Sequence, residues 1–552
     1  MWQLFKSKKY NRLFWILLAC YGLFGLFMVW RSSFIAVDGR RYFVLYDDAM
    51  ISMRYANNFL QNLGLVWNPG ERVEGFTTPM MVFIYTGAIA VFGKIYASLA
   101  IQLVGLALSV LSVYLTVRVF QLLTEADEFQ DALAFLASVL TMIFYPILYW
   151  SIMGMESGWL VAVVLLIFYL NLREQSTRKF NLPLAISLSA VYLLRAEGLL
   201  FIMCFFAFRF VRKIKNFKIS GLAPAIGEAM VVAVPAIAYQ IFRLQYYKSW
   251  WPNTYALKYQ GWDKVLQLKN GFLFDIMILE RLALFIFPVV LFFFIWAFSS
   301  EKSVKDKLRD LFFGRFGYIV LFVLLFFVFN LYQIAVGGDA WPPYWRIVTP
   351  YVPIFFIAVI YCFRKLSDRW GWRRDDTLGV LWFIVFSLAI VMPFDYNNDF
   401  LLLRPWQSIP NRNNVNIAIA IENLSKPSAS IVTFWAGIAP YFSERYAHDP
   451  MGKTDSYIAG LPVDFSYNSH GKNGMFTTPG HNKYDLHYSF QIKKPDVIWY
   501  MRFNEHYCSL GSQNLENWCS ENYVITKFMG EKFLLKKNSP NIYWNKIVPQ
   551  KE

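Results

Sequence analysis

Long apolar runs, separated by short polar segments, fill the first 393 positions of this sequence. About 20 consecutive apolar residues cross the hydrocarbon core of a bilayer, and most of the runs are close to that length. The pattern therefore predicts a polytopic α-helical membrane protein with about eleven spans. We place the spans at residues 13–31, 97–117, 132–151, 157–172, 182–195, 197–209, 224–243, 272–298, 316–336, 347–363 and 378–393.

The remaining segments divide into loops and one polar C-terminal part. A shorter apolar run at 79–93 begins "TTPMM", and we interpret it as a juxtamembrane or re-entrant piece. The spanning part, 1–393, then has a first outer loop at 32–78 and a large outer loop at 244–271. In residues 394–552 the stretches "ASIVTFWAGIAPYF" and "KKPDVIWYM" are typical of buried strands. They predict a mixed α/β domain outside the membrane.

Positive charge assigns the sides of the membrane. The segments 1–12, 118–131, 173–181, 209–218, 301–315 and 364–376 all fall on one side of the predicted spans. They hold 23 Lys and Arg residues. Basic loops face the cytoplasm, so the N-terminus is predicted to be cytoplasmic and residues 394–552 extracytoplasmic. The net charge of +16 is explained by these loops, and no nucleic-acid partner is predicted.

Unusual polar clusters collect on the opposite, outer side. The first outer loop holds "YDDAMISMRYANNF", which carries the adjacent carboxylates Asp47 and Asp48. The other clusters are "GMES", "RAEG", "YYKSWWPNTYALK" and "GGDAWPPYWR". Solvated loops explain one or two such clusters, but not five that combine acids, cations, Trp and Pro on one face. Their shared side predicts a functional site at the outer surface of the membrane.

The ordered set of these motifs resembles a known family. Together with "NPGERVEGFTTP" and "GHNKYDLHY…KKPDVI", it resembles the polyprenyl-phosphate-sugar-dependent glycosyltransferases of the GT-C superfamily over residues 40 to 500. Within that superfamily it is most similar to the terminal arabinofuranosyltransferases of the mycobacterial cell wall and their bacterial relatives. The resemblance implies an inverting transfer of a sugar, for which arabinofuranose is one candidate, from a polyprenyl phosphate to a hydroxyl of a glycan, lipid or protein acceptor. It also implies a bacterial inner-membrane enzyme that works among membrane lipids.

Such a transfer requires a carboxylate that accepts the proton of the attacking hydroxyl. Asp47 and Asp48 are the candidates, and we favour Asp47 because it lies further from the body of the predicted helix. The alternative is that one of the two is the N-cap of that helix. Both roles can coexist in one pair.

Cations that stabilise the leaving phosphate are the second requirement. Arg195, Lys258 and Arg346 are the candidates. The alternatives are a structural Arg195–Glu197 pair, and interface anchors at the other two positions. For the sugar or the acceptor, the candidate residues are Glu74, Glu156, Glu197, Trp251, Asn253, Tyr255, Asp339, Trp341 and His481.

Metal and thiol chemistry remain open at this point. Asp47, Asp48, Glu156 and Asp339 offer only oxygen ligands, which would suit Mg²⁺, Mn²⁺ or Ca²⁺. No cofactor is required by the sequence. Cys508 and Cys519 lie in the predicted outer part, where a disulfide can form. Two other functions are compatible with the sequence: a transporter or flippase for lipid-linked sugars, and a membrane protein that binds glycan without turnover.

Overall fold

The computed structural model describes residues 4–124, 128–174, 180–214, 223–299, 303–339, 345–397, 408–466, 477–499 and 508–547. A five-stranded sheet belongs to the second part of the chain, from residue 408 onward, and helices dominate the first part, which ends at Asn397. In chain order they are α1 (Lys8–Ser32), α2 (Asp47–Leu60), α3 (Pro79–Leu123), α4 (Glu128–Ile143), α5 (Tyr145–Ile152), α6 (Glu156–Arg173), α7 (Leu182–Leu194), α8 (Gly198–Ile214), α9 (Ala223–Tyr246), α10 (Asn253–Tyr259), α11 (Lys264–Arg281), α12 (Ala283–Phe298), α13 (Val304–Phe312), α14 (Phe316–Ala335), α15 (Val352–Arg369) and α16 (Arg374–Asn397).

Six stretches of helix are long and apolar enough to cross a membrane: Lys8–Ser32, Pro79–Leu123, Glu156–Arg173, Pro224–Tyr246, Phe316–Ala335 and Thr349–Arg369. Two further pairs pass the same test together but are bent, α4 with α5 by 52° and α11 with α12 by 86°. The described residues therefore support six to eight spans by length and composition. The expected segments at 182–195, 197–209 and 378–393 are helical as well.

The span predicted at 272–298 is not one straight helix. The chain breaks at Leu282, and the helices on either side meet at 86°. Only the second helix is apolar throughout, whereas α11 carries Asp275, Glu280 and Arg281. Hydropathy averaged over the segment cannot register a change of direction. The 79–93 piece, in contrast, is separated from the following span as expected, because Gly93 has φ +72° inside the α3 range.

A five-stranded sheet lies in the second part, together with α17 (Ser408–Leu424), α18 (Ile438–Ser443), α19 (Ser456–Gly460) and α20 (Glu516–Asn522). Two strands, β1 (Phe34–Ile35) and β2 (Arg41–Tyr42), belong to the first loop. The others are β3 (Ser430–Val432), β4 (Tyr446–His448), β5 (Val497–Trp499), β6 (Ser509–Leu510), β7 (Gln513–Asn514), β8 (Tyr523–Phe528) and β9 (Glu531–Lys536).

The strand order of this sheet is β4-β3-β5-β9-β8. The β3 strand is parallel to β4 and β5, whereas β9 is antiparallel to both of its neighbours. The two strands expected from the sequence, now β3 and β5, are therefore confirmed as neighbours in a mixed sheet. Cys508 and Cys519, whose pairing the sequence left open, form a disulfide.

The first loop is bound directly to this second part. Asn68 acts as a strand edge, because its side-chain amide donates to the carbonyl of Ala447 (2.7 Å) and its oxygen accepts from the Ala447 N–H (3.1 Å). The carboxylate of Asp47 accepts from the N–H groups of Gly437 (3.2 Å) and Ile438 (2.9 Å) at the start of α18. The first loop is thus hydrogen-bonded to the second part at two places, at Asn68 and at the acidic pair.

The orientation remains a prediction and can be tested with impermeant thiol reagents. Ser428 is exposed beside β3, on the side predicted to be extracytoplasmic, and Ser303 is exposed on the predicted cytoplasmic side. We expect Ser428→Cys to be labelled in intact spheroplasts and Ser303→Cys to be labelled only after lysis. The unsubstituted protein, with its own cysteines, is the background control. Labelling of Ser303→Cys alone in intact cells would reverse the topology.

Candidate active site

A cavity of about 320 Å³ lies where the first loop, α10 and the second part meet. It is lined by residues from distant parts of the sequence. Ten of the fourteen candidate residues are on its wall: Asp48, Glu156, Arg195, Glu197, Trp251, Tyr255, Lys258, Asp339, Arg346 and His481. The ordered motifs of the outer side therefore converge on one place.

The turn between α5 and α6 brings the carboxylates of the cavity together. Gly154 has φ +73°, and a Cβ there would lie 2.7 Å from the Leu45 side chain. This glycine lets the chain turn sharply between α5 and α6, so that Glu156 is the first residue of α6. The N–H of Tyr46 donates to the carbonyl of Met153 (3.0 Å), which ties the start of α2 to the same turn.

The acidic pair is divided between two environments. Tyr46 is the N-cap of α2, so neither Asp47 nor Asp48 caps its own helix. Asp47, which we expected to be the base, is turned away from the cavity wall and accepts the N–H groups that begin α18. Burial is the main cause that raises the pKa of Asp47 to about 6. Asp48 is the member of the pair that faces the cavity.

Asp48 lies between two cations. Its carboxylate is 3.2 Å from the Arg346 guanidinium and 2.5 Å from the Lys453 ammonium. Burial alone would raise the pKa of Asp48, but Lys453 and then Arg346 outweigh burial and hold the pKa below its usual value. The carboxylate is therefore ionised at neutral pH.

The same alternation of charge continues along the wall. Glu156 accepts from Arg346 at 3.0 Å and from Arg195 at 2.8 Å. Arg195 also forms a close ion pair with Glu197. The structural Arg195–Glu197 pair that we considered is present, and it lies on the cavity wall rather than away from it.

Lys258 differs from these cations. It is half-buried on the cavity wall, and the described residues give it no ion pair within 4.0 Å. Burial is the largest cause that lowers its pKa, while Asp339 opposes burial and Arg346 adds to it. A desolvated cation without a close counter-ion attracts an anion strongly.

Aromatic rings form the adjacent wall. Tyr255 and Tyr259 are four residues apart and share one side of α10, and Trp251 lies just before this helix. The rings stack in series, with centroids 4.9 Å apart for Trp251 and Tyr255 and 4.7 Å apart for Tyr255 and Tyr259. Apolar side chains complete the lining: Ile51, Phe76, Met155, Leu257, Val336 and Ile347. The cavity thus offers flat rings, apolar surface and charge side by side.

Three candidates do not reach the wall. Glu74 instead binds Arg243 (2.6 Å) and the Tyr239 hydroxyl (2.5 Å). The side chain of Asn253 donates to backbone carbonyls of residues 452–455. Asp47 is held by α18, as described above. Neither Glu74 nor Asn253 is placed to touch a sugar in this cavity, and Trp341 lies outside the described residues.

Sequence reasoning missed Lys453, Tyr259 and Tyr332, all of which line the cavity. Tyr259 could have been found from its helical spacing, four residues after Tyr255. Lys453 gave a weaker signal, since "HDPMGKTD" resembles an ordinary polar loop.

Three of the four carboxylates considered as metal ligands have identified partners. Asp47 accepts from backbone N–H groups, and Asp48 and Glu156 are paired with cations. Within the described ranges no group of three or more His, Cys, Asp or Glu residues is arranged to hold a metal ion. The residues on the cavity wall therefore balance one another's charge.

No protein-family model and no curated protein matches this sequence. Among the solved structures that are similar to it are two of one protein. The crystal structure of ArnT from Cupriavidus metallidurans bound to undecaprenyl phosphate has a TM-score of 0.56 at 11% identity, covering 99% of this chain and 100% of that one. The apo structure of the same protein has a TM-score of 0.50 at 13% identity, covering 81% and 89%. The chain therefore shares the fold of these ArnT structures, and six of its described helical stretches are long and apolar enough to cross a membrane.

Proposed function

We propose that this protein is an inverting glycosyltransferase that moves a sugar from a polyprenyl phosphate to an acceptor hydroxyl at the outer face of the bacterial inner membrane. The observation that carries the proposal is that a candidate base and a candidate phosphate-binding cation lie on the wall of one cavity. An ionised carboxylate, Asp48, faces the same space as Lys258, a cation that has no ion pair within 4.0 Å among the residues that the structure describes. The fold shared with ArnT, which was crystallised with undecaprenyl phosphate, supports a lipid phosphate as the donor group.

The proposed step forms one bond and breaks one bond at the anomeric carbon of the sugar. The acceptor oxygen forms a bond to the anomeric carbon of the sugar, while the bond from that carbon to the phosphate oxygen breaks. Asp48 takes the proton of the acceptor hydroxyl. The electron pair of the broken bond leaves with the phosphate oxygen, where Lys258 and Arg346 stabilise the growing negative charge.

The other lining residues orient the reactants. The Tyr255 and Tyr259 rings offer flat surfaces for a sugar, and we propose that Glu156 and Asp339, on the same wall, accept hydrogen bonds from its hydroxyls. The apolar side chains of the wall suit the first isoprene units of the lipid. Arabinofuranose is the sugar favoured by the resemblance to the terminal arabinofuranosyltransferases. The acceptor is proposed to be a glycan, lipid or protein of the cell envelope.

The test is a transfer assay with the purified protein in nanodiscs. Polyprenyl-phosphate arabinofuranose and a panel of other polyprenyl-phosphate sugars are supplied with a membrane extract from a deletion strain as the acceptor. The proposal expects release of polyprenyl phosphate together with a glycosylated product for at least one donor. If the folded protein releases polyprenyl phosphate from none of the donors, the proposal is overturned.

A divalent cation is not needed to neutralise this cavity, because arginine and lysine side chains already face Asp48 and Glu156. We therefore expect transfer to persist after treatment with EDTA. The measurement is released polyprenyl phosphate with EDTA alone and with Mg²⁺, Mn²⁺ or Ca²⁺ restored. Loss of turnover that one of these ions restores would show that a metal takes part.

A further inference from the structure

A short loop between β4 and α19, residues 449–455, carries the cation Lys453 into the cavity and is held in one conformation. We call it the lysine loop. The buried carboxylate of Asp449 accepts from the N–H groups of Met451 (3.0 Å) and Thr454 (2.9 Å). Gly452 has φ +76°, and a Cβ there would lie 2.6 Å from the side chain of Ile458. A glycine suits this position, and the two hydrogen bonds to Asp449 hold the turn around it.

Asn253 fastens the lysine loop to the spanning part. Its side-chain amide donates to the carbonyls of Gly452 (2.8 Å), Lys453 (3.1 Å) and Asp455 (3.2 Å). Its own backbone N–H donates to the carbonyl of Glu74 (2.9 Å). One residue of α10 therefore holds together the first loop, α10 and the lysine loop.

Lys453 reaches the cavity from this anchored position. Its side chain is 15% exposed, and its ammonium group is 2.5 Å from Asp48. An ammonium group has three N–H donors, and within the described residues Asp48 is its one hydrogen-bond partner. Two donors thus remain for an anion in the cavity.

We propose that Lys453 is a shared counter-ion, which pairs with Asp48 and transfers part of that pairing to the donor phosphate when the phosphate enters the cavity. Asn253 is then a positioning residue that acts through Lys453. This inference rests on the proposed function. It couples the two halves of the reaction, because Asp48 becomes more basic as its neighbouring cation turns to the phosphate. A carboxylate held by Lys453 is a poor base for water. Hydrolysis of the donor is therefore suppressed until the donor phosphate has drawn Lys453 away from Asp48.

The first test is binding of undecaprenyl phosphate to the full-length protein in nanodiscs. Lys453→Gln is expected to bind it about tenfold more weakly or worse, since a charged hydrogen bond is lost. Asn253→Ala is expected to weaken binding similarly, and the double variant to be no weaker than Lys453→Gln alone. Lys527→Gln is the matched control, because it removes the same charge from an exposed position on β8.

Two binding results would overturn the proposal. One is wild-type affinity in Lys453→Gln. The other is a double variant whose loss equals the product of the two single losses, because Asn253 would then act independently of Lys453. Retained affinity in Lys453→Arg, which keeps the charge, would agree with a counter-ion.

The pH dependence separates a counter-ion from a structural role. Lys453 lowers the pKa of Asp48, so its removal raises that pKa in the free enzyme. The acidic limb of kcat/KM for the donor is therefore expected to move to higher pH in Lys453→Gln. A purely structural lysine would lower the amplitude and leave the limb in place. If the wild type turns over no donor, the proposed function fails, while the binding test of Lys453 still stands.

Discussion

Asp48→Asn is expected to lower sugar transfer by about a thousandfold while the protein stays folded and still binds undecaprenyl phosphate. The asparagine amide fits the same space but cannot take the proton of the acceptor hydroxyl, and a general base contributes about 10² to 10⁴ in rate. Retained binding is expected because Arg346 and Lys453, which flank Asp48, keep their charge. The measurement is released polyprenyl phosphate, normalised to folded protein in nanodiscs.

Asp47→Asn is the matched control for this prediction. Asp47 is adjacent in sequence, but its oxygens accept from Gly437 and Ile438 instead of facing the cavity. Exchange of one oxygen for an amide group loses a hydrogen bond, worth about 1 kcal/mol of stability. We therefore expect turnover within about tenfold of wild type. The reverse pattern, with Asp48→Asn active and Asp47→Asn inactive, would restore Asp47 as the base.

The raised pKa of Asp47 gives this control a pH signature. Mainly through burial, that pKa rises from 3.8 to about 6 in the folded protein. A carboxyl with a higher pKa in the folded than in the unfolded state binds its proton more readily when folded. Its contribution to the free energy of unfolding therefore increases as the pH falls from about 7 to about 4. Asp47→Asn is expected to lose that part of the pH dependence.

Lys258→Met is expected to lower turnover by about a hundredfold without loss of stability. A phosphate leaving group gains charge in the transition state, and loss of one fixed donor costs about 3 kcal/mol. Stability is expected to hold because Lys258 has no ion pair within 4.0 Å among the described residues, so its replacement by an apolar side chain of similar length strands no partner. Transfer and thermal unfolding are measured on the same nanodisc preparation.

Lys264→Met is the control for Lys258. Lys264 begins α11 at an exposed position off the cavity wall, so its replacement removes an equal charge from the same outer region. We expect its turnover to stay near that of wild type. If Lys258→Met kept more than about half of wild-type turnover, Lys258 would be an interface anchor, and the phosphate would be held by Arg346 and Lys453.

Much of the candidate site could be predicted because solvated loops do not explain five clusters of acids, cations, Trp and Pro on the predicted outer side of an apolar chain. Glu156, Arg195 and Arg346 come from motifs far apart in sequence, and each motif already combined charge with a constrained turn. The division of labour between Asp47 and Asp48 could not be predicted. Adjacent side chains on a helix point about 100° apart, and only the position of α18 decides which of them is taken by the second part.

The fold shows a similar limit. Apolar runs predicted the helices, but the 86° break at Leu282 depends on how α11 and α12 pack and not on their composition. Lys453 lies 405 residues from its partner Asp48, so no local pattern connects the two. Asn253 was recognised as unusual, yet its partners are backbone carbonyls, which are present at every residue and leave no trace in a sequence.

The most direct test of the central claim, that this cavity holds the donor phosphate beside Asp48, is a cryo-electron microscopy structure of the protein in nanodiscs with undecaprenyl phosphate. The predicted result is phosphate density within hydrogen-bonding distance of the Lys258 ammonium and of Arg346 or Lys453, with the lipid chain leaving along the apolar wall. Phosphate density bound elsewhere on the protein, with the Lys258 side chain free of it, would contradict the claim.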